Sequence, residues 1–253
     1  MQEISVVIVA KDEADIIGQT ISSLSGLTDD IFIADTGSKD DTIAIARSLG
    51  ARVETLAWEG FGRTKNKALA HAKYEWVLFL DADESIDETL KQSLLNLSPE
   101  DPRAAFKIRF KNYIGNKRMA YGEWGRECKL KVFNRKYAQW DNAEIHEKIL
   151  VAEGGKVKTL DGFIIHSLMK DLSEYAVKMN RYGELMARKY LQNGKKAGWF
   201  KLYFYPFFRF LQIYLFRLGL LDGRLGFAAA FFSAYYAFLK YHRLRELQLS
   251  GAS

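Results

Sequence analysis

Three carboxylates within four residues, Asp81, Asp83 and Glu84, follow directly on the apolar run Trp76-Val77-Leu78-Phe79-Leu80. The run has no helical spacing and reads as a strand buried on both faces. Charges at the end of such a strand are costly unless they bind something. In an α/β sheet the carboxyl ends of the strands are where ligands sit. An Asp-x-Asp there suits Mg²⁺ or Mn²⁺ carrying a diphosphate, because both ions take hard oxygen ligands. The plainer alternative is that the acids open a helix over residues 85–97 as favourable first-turn charges.

Other residues of the same character recur at predicted strand ends. Strand one, residues 4–10, runs into Lys11-Asp12-Glu13, and strand two, residues 30–35, into Asp35-Thr36-Gly37-Ser38-Lys39-Asp40-Asp41-Thr42. Gly37, Ser38 and Thr42 read as turn chemistry, with Ser38 or Asp40 as a helix cap. Asp35, last in its strand, is placed to hydrogen-bond a nucleobase or ribose. Gly62-Arg63-Thr64-Lys65-Asn66-Lys67-Ala68 puts three cations in five residues at a helix start. Helix amino termini attract anions, and Arg63 and Lys67 share a face at i, i+4. A phosphate contact is expected of Arg63 ahead of Lys65, against the alternative of a solvated basic face. Asp141, Glu144 and Glu147 cluster downstream, where a general base would be wanted. His166, after Phe163-Ile164-Ile165, reads either as a metal ligand or diphosphate contact or as a buried, hydrogen-bonded histidine. His71 reads as a helix-surface residue, and Cys128 is assigned no chemistry.

The elements that must position these groups alternate. Strands at 4–10, 30–35, 52–57 and 76–80 are separated by helices near 14–24, 41–49 and 64–72, which argues for a parallel sheet flanked by helices. From Ala105 to Trp140 the pattern changes to alternating antiparallel or edge strands. A helix over 172–192 follows, capped at Asn193-Gly194. At 253 residues and 48% hydrophobic, with three prolines, the chain is sized for one large α/β domain and an appendage. The lone Cys128 excludes an intramolecular disulfide and points to a reducing compartment. A strand beginning at Ile4 leaves no room for a signal peptide ahead of it.

The order and spacing of Ser5-Val6-Val7-Ile8…Lys11-Asp12-Glu13, Ile33-Ala34-Asp35-Thr36-Gly37-Ser38-Lys39-Asp40-Asp41-Thr42, Arg63-Thr64-Lys65-Asn66-Lys67-Ala68 and Phe79-Leu80-Asp81-Ala82-Asp83-Glu84 closely resemble glycosyltransferase family 2. The likeness continues more weakly through Lys131-Val132-Phe133-Asn134-Arg135, His146-Glu147-Lys148 and Leu221-Asp222-Gly223-Arg224-Leu225-Gly226-Phe227, which are similar to the lipopolysaccharide-core glucosyltransferase subgroup. Asp12 stands where the family commonly has Asn. The resemblance implies a GT-A fold, a Rossmann-like mixed sheet, and inverting, metal-dependent transfer from a nucleoside-diphosphate sugar. Uridine diphosphate glucose is the first expectation. It implies Asp35 on the base, Asp81 on the ribose and Asp83 on Mg²⁺ or Mn²⁺; His166, from its place at a strand end, is expected as a further metal ligand. Ala10, Glu13, Arg63, Lys67 and Ala82 complete the expected nucleotide-sugar site. Glu147 is the favoured base, ahead of Glu144 and Asp141; its alternative is a surface pair with Lys148.

Residues 195–245 carry nine Lys/Arg, one acid and 17 of the 35 aromatics, against a net −1 over residues 1–194. The apolar runs are too long for a solvated nucleic-acid face, so an anionic membrane surface is expected instead. Helices over 200–221 and 225–241 carry too many cations, and the second is too short, to span a bilayer. They read as interfacial elements, or as a hairpin packed on the catalytic domain or another subunit. The expected organisation is a nucleotide-sugar-binding domain (1–140), an acceptor-side region (141–195) and an amphipathic helical segment (196–253). The expected setting is peripheral, on the cytoplasmic face of a bacterial membrane, with a glycolipid or lipid-linked glycan such as lipopolysaccharide core as acceptor. A sugar nucleotidyltransferase would want a Gly-rich loop after strand one, which Val9-Ala10-Lys11-Asp12-Glu13 lacks. A nicotinamide-dependent dehydrogenase would want a third glycine after Gly60-Phe61-Gly62. An inactive, membrane-docked nucleotide-binding protein is the non-enzyme alternative.

Overall fold

Three apolar stretches and one polar one in the first eighty-one residues form parallel strands: β1 (Ile4–Ala10), β2 (Ile31–Asp35) and β4 (Trp76–Asp81), with β3 (Arg52–Thr55) at the sheet's edge. A computed structural model describes residues 3–141, 147–169 and 171–250. The strands lie in the order β3-β2-β1-β4, with β1 parallel to both of its neighbours. Ala10 pairs with Asp35, and Val9 with Asp81, so β1, β2 and β4 end level with one another. Three of the sequence's candidate residues therefore stand along one edge of the sheet.

Alternation within the strands sorts the core into two layers. Val6, Ile8, Leu78 and Leu80 face α1 (Ile17–Ser23), through Ile17 and Ile21, and α4 (Glu88–Leu95), through Leu90 and Leu94. On the other face Val7, Phe32, Val77 and Phe79 pack with Ala68 and Leu69 of α3 (Phe61–Ala70). The helix α2 (Thr42–Ser48) links β2 to β3.

The helix expected from Ser85 does not begin there. Glu84–Ile86 forms a short strand, β5, antiparallel to β11 (Val157–Met169), with Glu84 opposite His166. Asp87 then caps α4, its carboxylate accepting from the Leu90 amide at 3.0 Å. The acids of 81–84 are thus site and core groups rather than first-turn charges. Beyond β5 the sheet continues with β6 (Ala105–Ile114) and β8 (Cys128–Asn134), the latter antiparallel to both β4 and β6. The short strand β7 (Lys117–Met119) pairs with the end of β6. A hairpin of β9 (Ala138–Trp140) and β10 (Ile149–Val151) carries the segment 141–148.

The chain packs as two compact units, Met1–Phe110 with Cys128–His166, and Lys111–Glu127 with Ser167–Ser253. Residues 111–127 group with the carboxy-terminal helices. In the second unit α5 (Leu172–Gln192) runs as expected, capped by Asp171 and followed by Gly194 at φ +65°. The helix expected over 200–221 is instead broken into α6 (Trp199–Tyr203), α7 (Tyr205–Leu211), a π turn at Gln212–Phe216 and a 3₁₀ turn at Gly219–Asp222. Pro206 lies in the first turn of α7, where its missing amide hydrogen costs no helical bond. The last helix, α8 (Gly223–Leu249), has 27 residues rather than about 15. Among the described residues no helix is long and apolar enough to cross a membrane.

Candidate active site

The buried run of β4 delivers Asp81 and Asp83 to the sheet edge, and three charged side chains from elsewhere converge on them. Lys65, on the buried face of α3, places its ammonium 3.2 Å from Asp81 and 2.8 Å from Glu147. Lys131 of β8 lies 3.2 Å from Asp81 and 2.5 Å from Glu84. His166, in β11, brings Nε2 to 3.4 Å from Asp83 Oδ2. The backbone also contributes, as the Asp81 amide donates to Glu84 Oε2 at 3.0 Å.

Burial and charge compete throughout this cluster. Burial pushes the Asp81 carboxyl up, but the ammonium groups of Lys131 and Lys65 hold it well below the usual carboxylate range. Glu84 is displaced the other way, because burial and the nearby Asp81 outweigh the attraction of Lys131. Burial works against charge on Lys65 as well, and Asp81 and Glu147 overcome it, so its ammonium is favoured. For His166, burial opposes protonation and the bond and charge of Asp83 favour it, with a net upward displacement.

The loops after β1 and β2 are laced together beside this cluster. The Asp35 carboxylate is buried and accepts from the Gly37 amide at 2.9 Å and the Ser38 amide at 3.2 Å, closing its own turn. Ser38 Oγ accepts from the Asp12 amide at 2.9 Å, and Thr42 Oγ1 from the Glu13 amide at 2.8 Å. Asp12 sits at φ +55°, in the left-handed region that Asn and Asp tolerate best among side-chain-bearing residues, and its carboxylate accepts from the Lys39 amide. The Ala10 carbonyl accepts from the Thr36 amide, and the Ala82 carbonyl from Thr20 Oγ1. Ala10 and Ala82 thus serve through backbone and close packing.

Of the residues expected from the sequence, Asp81, Asp83, His166 and Glu147 come together as neighbours in one charged network. Glu147 pairs with Lys65, and not with the adjacent Lys148. Asp141 accepts from the Lys148 amide at 3.1 Å and closes the base of its loop. Glu144 lies outside the described residues, as does His146. Arg63 and Lys67 are exposed on α3, where Lys67 pairs with Glu59, so the network takes its α3 cation from Lys65 instead. The signal for that was present in the sequence: Lys65, Ala68, Leu69 and Ala72 fall at i, i+3, i+4 and i+7, the spacing of a buried face. Lys131 was missed because nothing in a β8 rich in lysine marks one of them as buried. Asn66 completes the frame, exchanging hydrogen bonds of 2.8 and 2.9 Å with the Trp140 backbone and tying α3 to the hairpin that carries Glu147.

Asp83 and His166 meet as a hydrogen-bonded pair, their donor atoms 3.4 Å apart, and a carboxylate with an imidazole is a donor set that would suit Mn²⁺ or Mg²⁺. Among the described residues no group of three His, Cys, Asp or Glu side chains is arranged to hold an ion. Two protein ligands leave positions for phosphate oxygens and water, as Mg²⁺ at nucleotide sites takes them.

Residues 5–161 match the model of glycosyl transferase family 2. LpsC of Rhizobium meliloti, a lipopolysaccharide core biosynthesis glycosyltransferase, is 31% identical over 248 residues, spanning 93% of this chain and 89% of that protein. An uncharacterised glycosyltransferase of Rickettsia typhi is 28% identical over 262 residues, spanning 99% and 89%. The crystal structure of glucosyl-3-phosphoglycerate synthase from Mycobacterium tuberculosis with Mn²⁺, uridine diphosphate and glucosyl-3-phosphoglycerate overlaps 46% of this chain and 45% of that one, at 27% identity and a TM-score of 0.34. The chain belongs to glycosyl transferase family 2, and it is a glycosyltransferase with the mixed α/β architecture its motifs led us to expect. Nucleotidyl transfer and nicotinamide chemistry fall away with that membership.

Proposed function

We propose that this enzyme moves a hexose from a nucleoside-diphosphate sugar, uridine diphosphate glucose first among them, to a hydroxyl of a lipid-linked glycan of the lipopolysaccharide-core kind, inverting the anomeric centre. The observation that carries the reading is the network at the end of β4, where Lys65 bridges Asp81 and Glu147 while Asp83 meets His166. Lys65 holds Glu147 by Oε1 and leaves Oε2 to take a proton. As the acceptor oxygen bonds to the anomeric carbon, its proton passes to Glu147 and the electron pair of the breaking bond leaves with the diphosphate. Asp83 and His166 would hold Mg²⁺ or Mn²⁺, whose chemistry when bound is to neutralise charge growing on that leaving group. Asp35 and Asp81 serve base and ribose, on a floor fixed by the laced loops after β1 and β2. The kinship with LpsC supports the choice of acceptor.

A peripheral position on the cytoplasmic membrane face is part of the proposal. It is supported by the exposure of Trp199, Phe204, Phe207 and Phe208 in a segment with an excess of cations. The deciding experiment is incubation with a panel of sugar nucleotides, with Mn²⁺ or Mg²⁺ and then with chelator. Release of nucleoside diphosphate is expected from one donor and is expected to stop on chelation; transfer to a core-type acceptor should yield the inverted anomer by NMR. Failure to consume any sugar nucleotide, or a retained anomer, would overturn the reading.

A further inference from the structure

The second unit contains a cavity of about 420 Å³ that the transfer chemistry described above does not use. Its walls come from the loop 120–127 and the turn 216–218, and include Tyr121, Glu123, Arg126, Glu127, Phe216 and Arg217. The loop is held in place from several sides. The buried Asp222 accepts from the Ala120 amide at 3.0 Å and the Tyr121 amide at 2.9 Å, and the Gly122 amide donates to the Arg217 carbonyl at 2.9 Å. A Cβ on Gly125 would meet the Ala120 carbonyl oxygen at 2.2 Å, so that turn admits only glycine. The facing wall is a π turn leading to Leu218 at φ +59°, a costly conformation for a leucine.

Both carboxylates of this cavity are already engaged by other side chains. Glu123 is ion-paired with Arg209, and Glu127 accepts from Asn112 at 2.7 Å. Neither guanidinium of Arg126 and Arg217 makes an ion pair or hydrogen bond among the described residues. Phe216 is 81% exposed and Tyr121 40%, so aromatic surface stands open alongside the two cations. A guanidinium group recognises phosphate and carboxylate by planar, bidentate hydrogen bonds. Open aromatic faces next to it suit the apolar face of a sugar ring.

We propose that this cavity binds the acceptor through an anionic sugar, one bearing a phosphate or carboxylate, and so selects acidic glycans over neutral ones. The proposal rests on the glycosyl-transfer reading, and its test separates the two. Binding of uridine diphosphate reports the donor site; binding of a phosphorylated and of a carboxylated oligosaccharide, each beside its neutral counterpart, reports the cavity. For the wild type, the acidic probes are expected to bind at least tenfold more tightly than the neutral ones. The double substitution R126Q/R217Q should erase that preference and raise the acceptor KM at least tenfold, with uridine diphosphate affinity as in the wild type, which also shows that the variant folds. Arg217→Lys should fall between, since it keeps charge but loses the planar fork. Equal binding of acidic and neutral glycans, or a preference that survives R126Q/R217Q, overturns the proposal while leaving the transfer reading intact. Vesicles of anionic lipid that compete away the acidic glycan would also overturn it, by assigning the arginines to a lipid headgroup.

Discussion

With its side chain only 3% exposed, Lys131 stands between Asp81 and Glu84 and offsets two carboxylates that could not otherwise share the end of β4. Breaking a buried ion pair from one side leaves an uncompensated charge and costs about 3–5 kcal/mol. Lys131→Met should therefore lower stability by that order in urea unfolding, whereas K131M/E84Q, which removes both charges of the buried pair, should recover a large part of it. If the double variant is as unstable as the single one, packing rather than charge balance is the role of Lys131. Glu147 makes a separable claim about chemistry. Glu147→Gln preserves shape and cannot take the acceptor's proton, so turnover should fall by roughly 10²-fold or more while nucleotide affinity holds. Near-normal turnover in that variant would move the base to Glu144 or Asp141.

At the scale of elements, glycine marks where the backbone comes too close for any other residue. A Cβ on Gly226, near the start of α8, would fall 1.9 Å from the Gly219 carbonyl oxygen, whereas one on Gly18 in α1 would meet nothing closer than 3.6 Å. Gly226→Ala should thus destabilise by about 2–3 kcal/mol, as overpacking against backbone does. Gly18→Ala should be neutral or stabilise by about 0.5–1 kcal/mol, because it removes unfolded-state freedom from a helix. Thermal melts that rank the two in the opposite order would refute this account of the Leu221-Asp222-Gly223-Arg224-Leu225-Gly226-Phe227 motif. The contrast also shows what the chain discloses before it folds. Strands β1, β2 and β4 were legible because continuous apolar runs between turns have few other solutions, and β3 because it falls between two helices of a regular alternation. β5 was not, since Glu84-Ser85-Ile86 is too short for periodicity and its acids imitate a helix start. The break between α7 and the π turn was illegible for a different reason. Pro206 marks the first break in the sequence itself, but the run of Phe, Tyr and Leu after it keeps helical spacing, and tertiary packing decides where that helix yields to the π turn. At the site, Asp81, Asp83, Glu147 and His166 could be read from their places after apolar strands or in a familiar motif. The cations that organise them could not all be read, because an i, i+4 pair of exposed charges drew attention from the buried Lys65 beside it.

Across the whole molecule, the excess of cations in 195–245 coincides with exposed rings, and these two features make different predictions about a bilayer. Exposed Lys and Arg act through the surface potential of anionic lipid, worth about 1 kcal/mol each near the surface and screened by salt. Rings such as Trp199, Phe207 and Phe208 act by burial in the interface and are indifferent to salt. The intact chain should float with vesicles containing anionic lipid at low ionic strength, and less of it should float at high. Neutralising Lys196, Lys201 and Arg224 together removes about 3 kcal/mol, roughly a hundredfold in partitioning, and should leave a weaker association with a reduced preference for anionic over neutral vesicles. Replacing Trp199, Phe207 and Phe208 by Ser should instead abolish flotation at high salt while the low-salt preference for anionic lipid persists. Should the intact chain fail to float under any condition and run as an oligomer that the aromatic substitutions dissociate, the exposed rings belong to a subunit interface and the membrane placement is wrong.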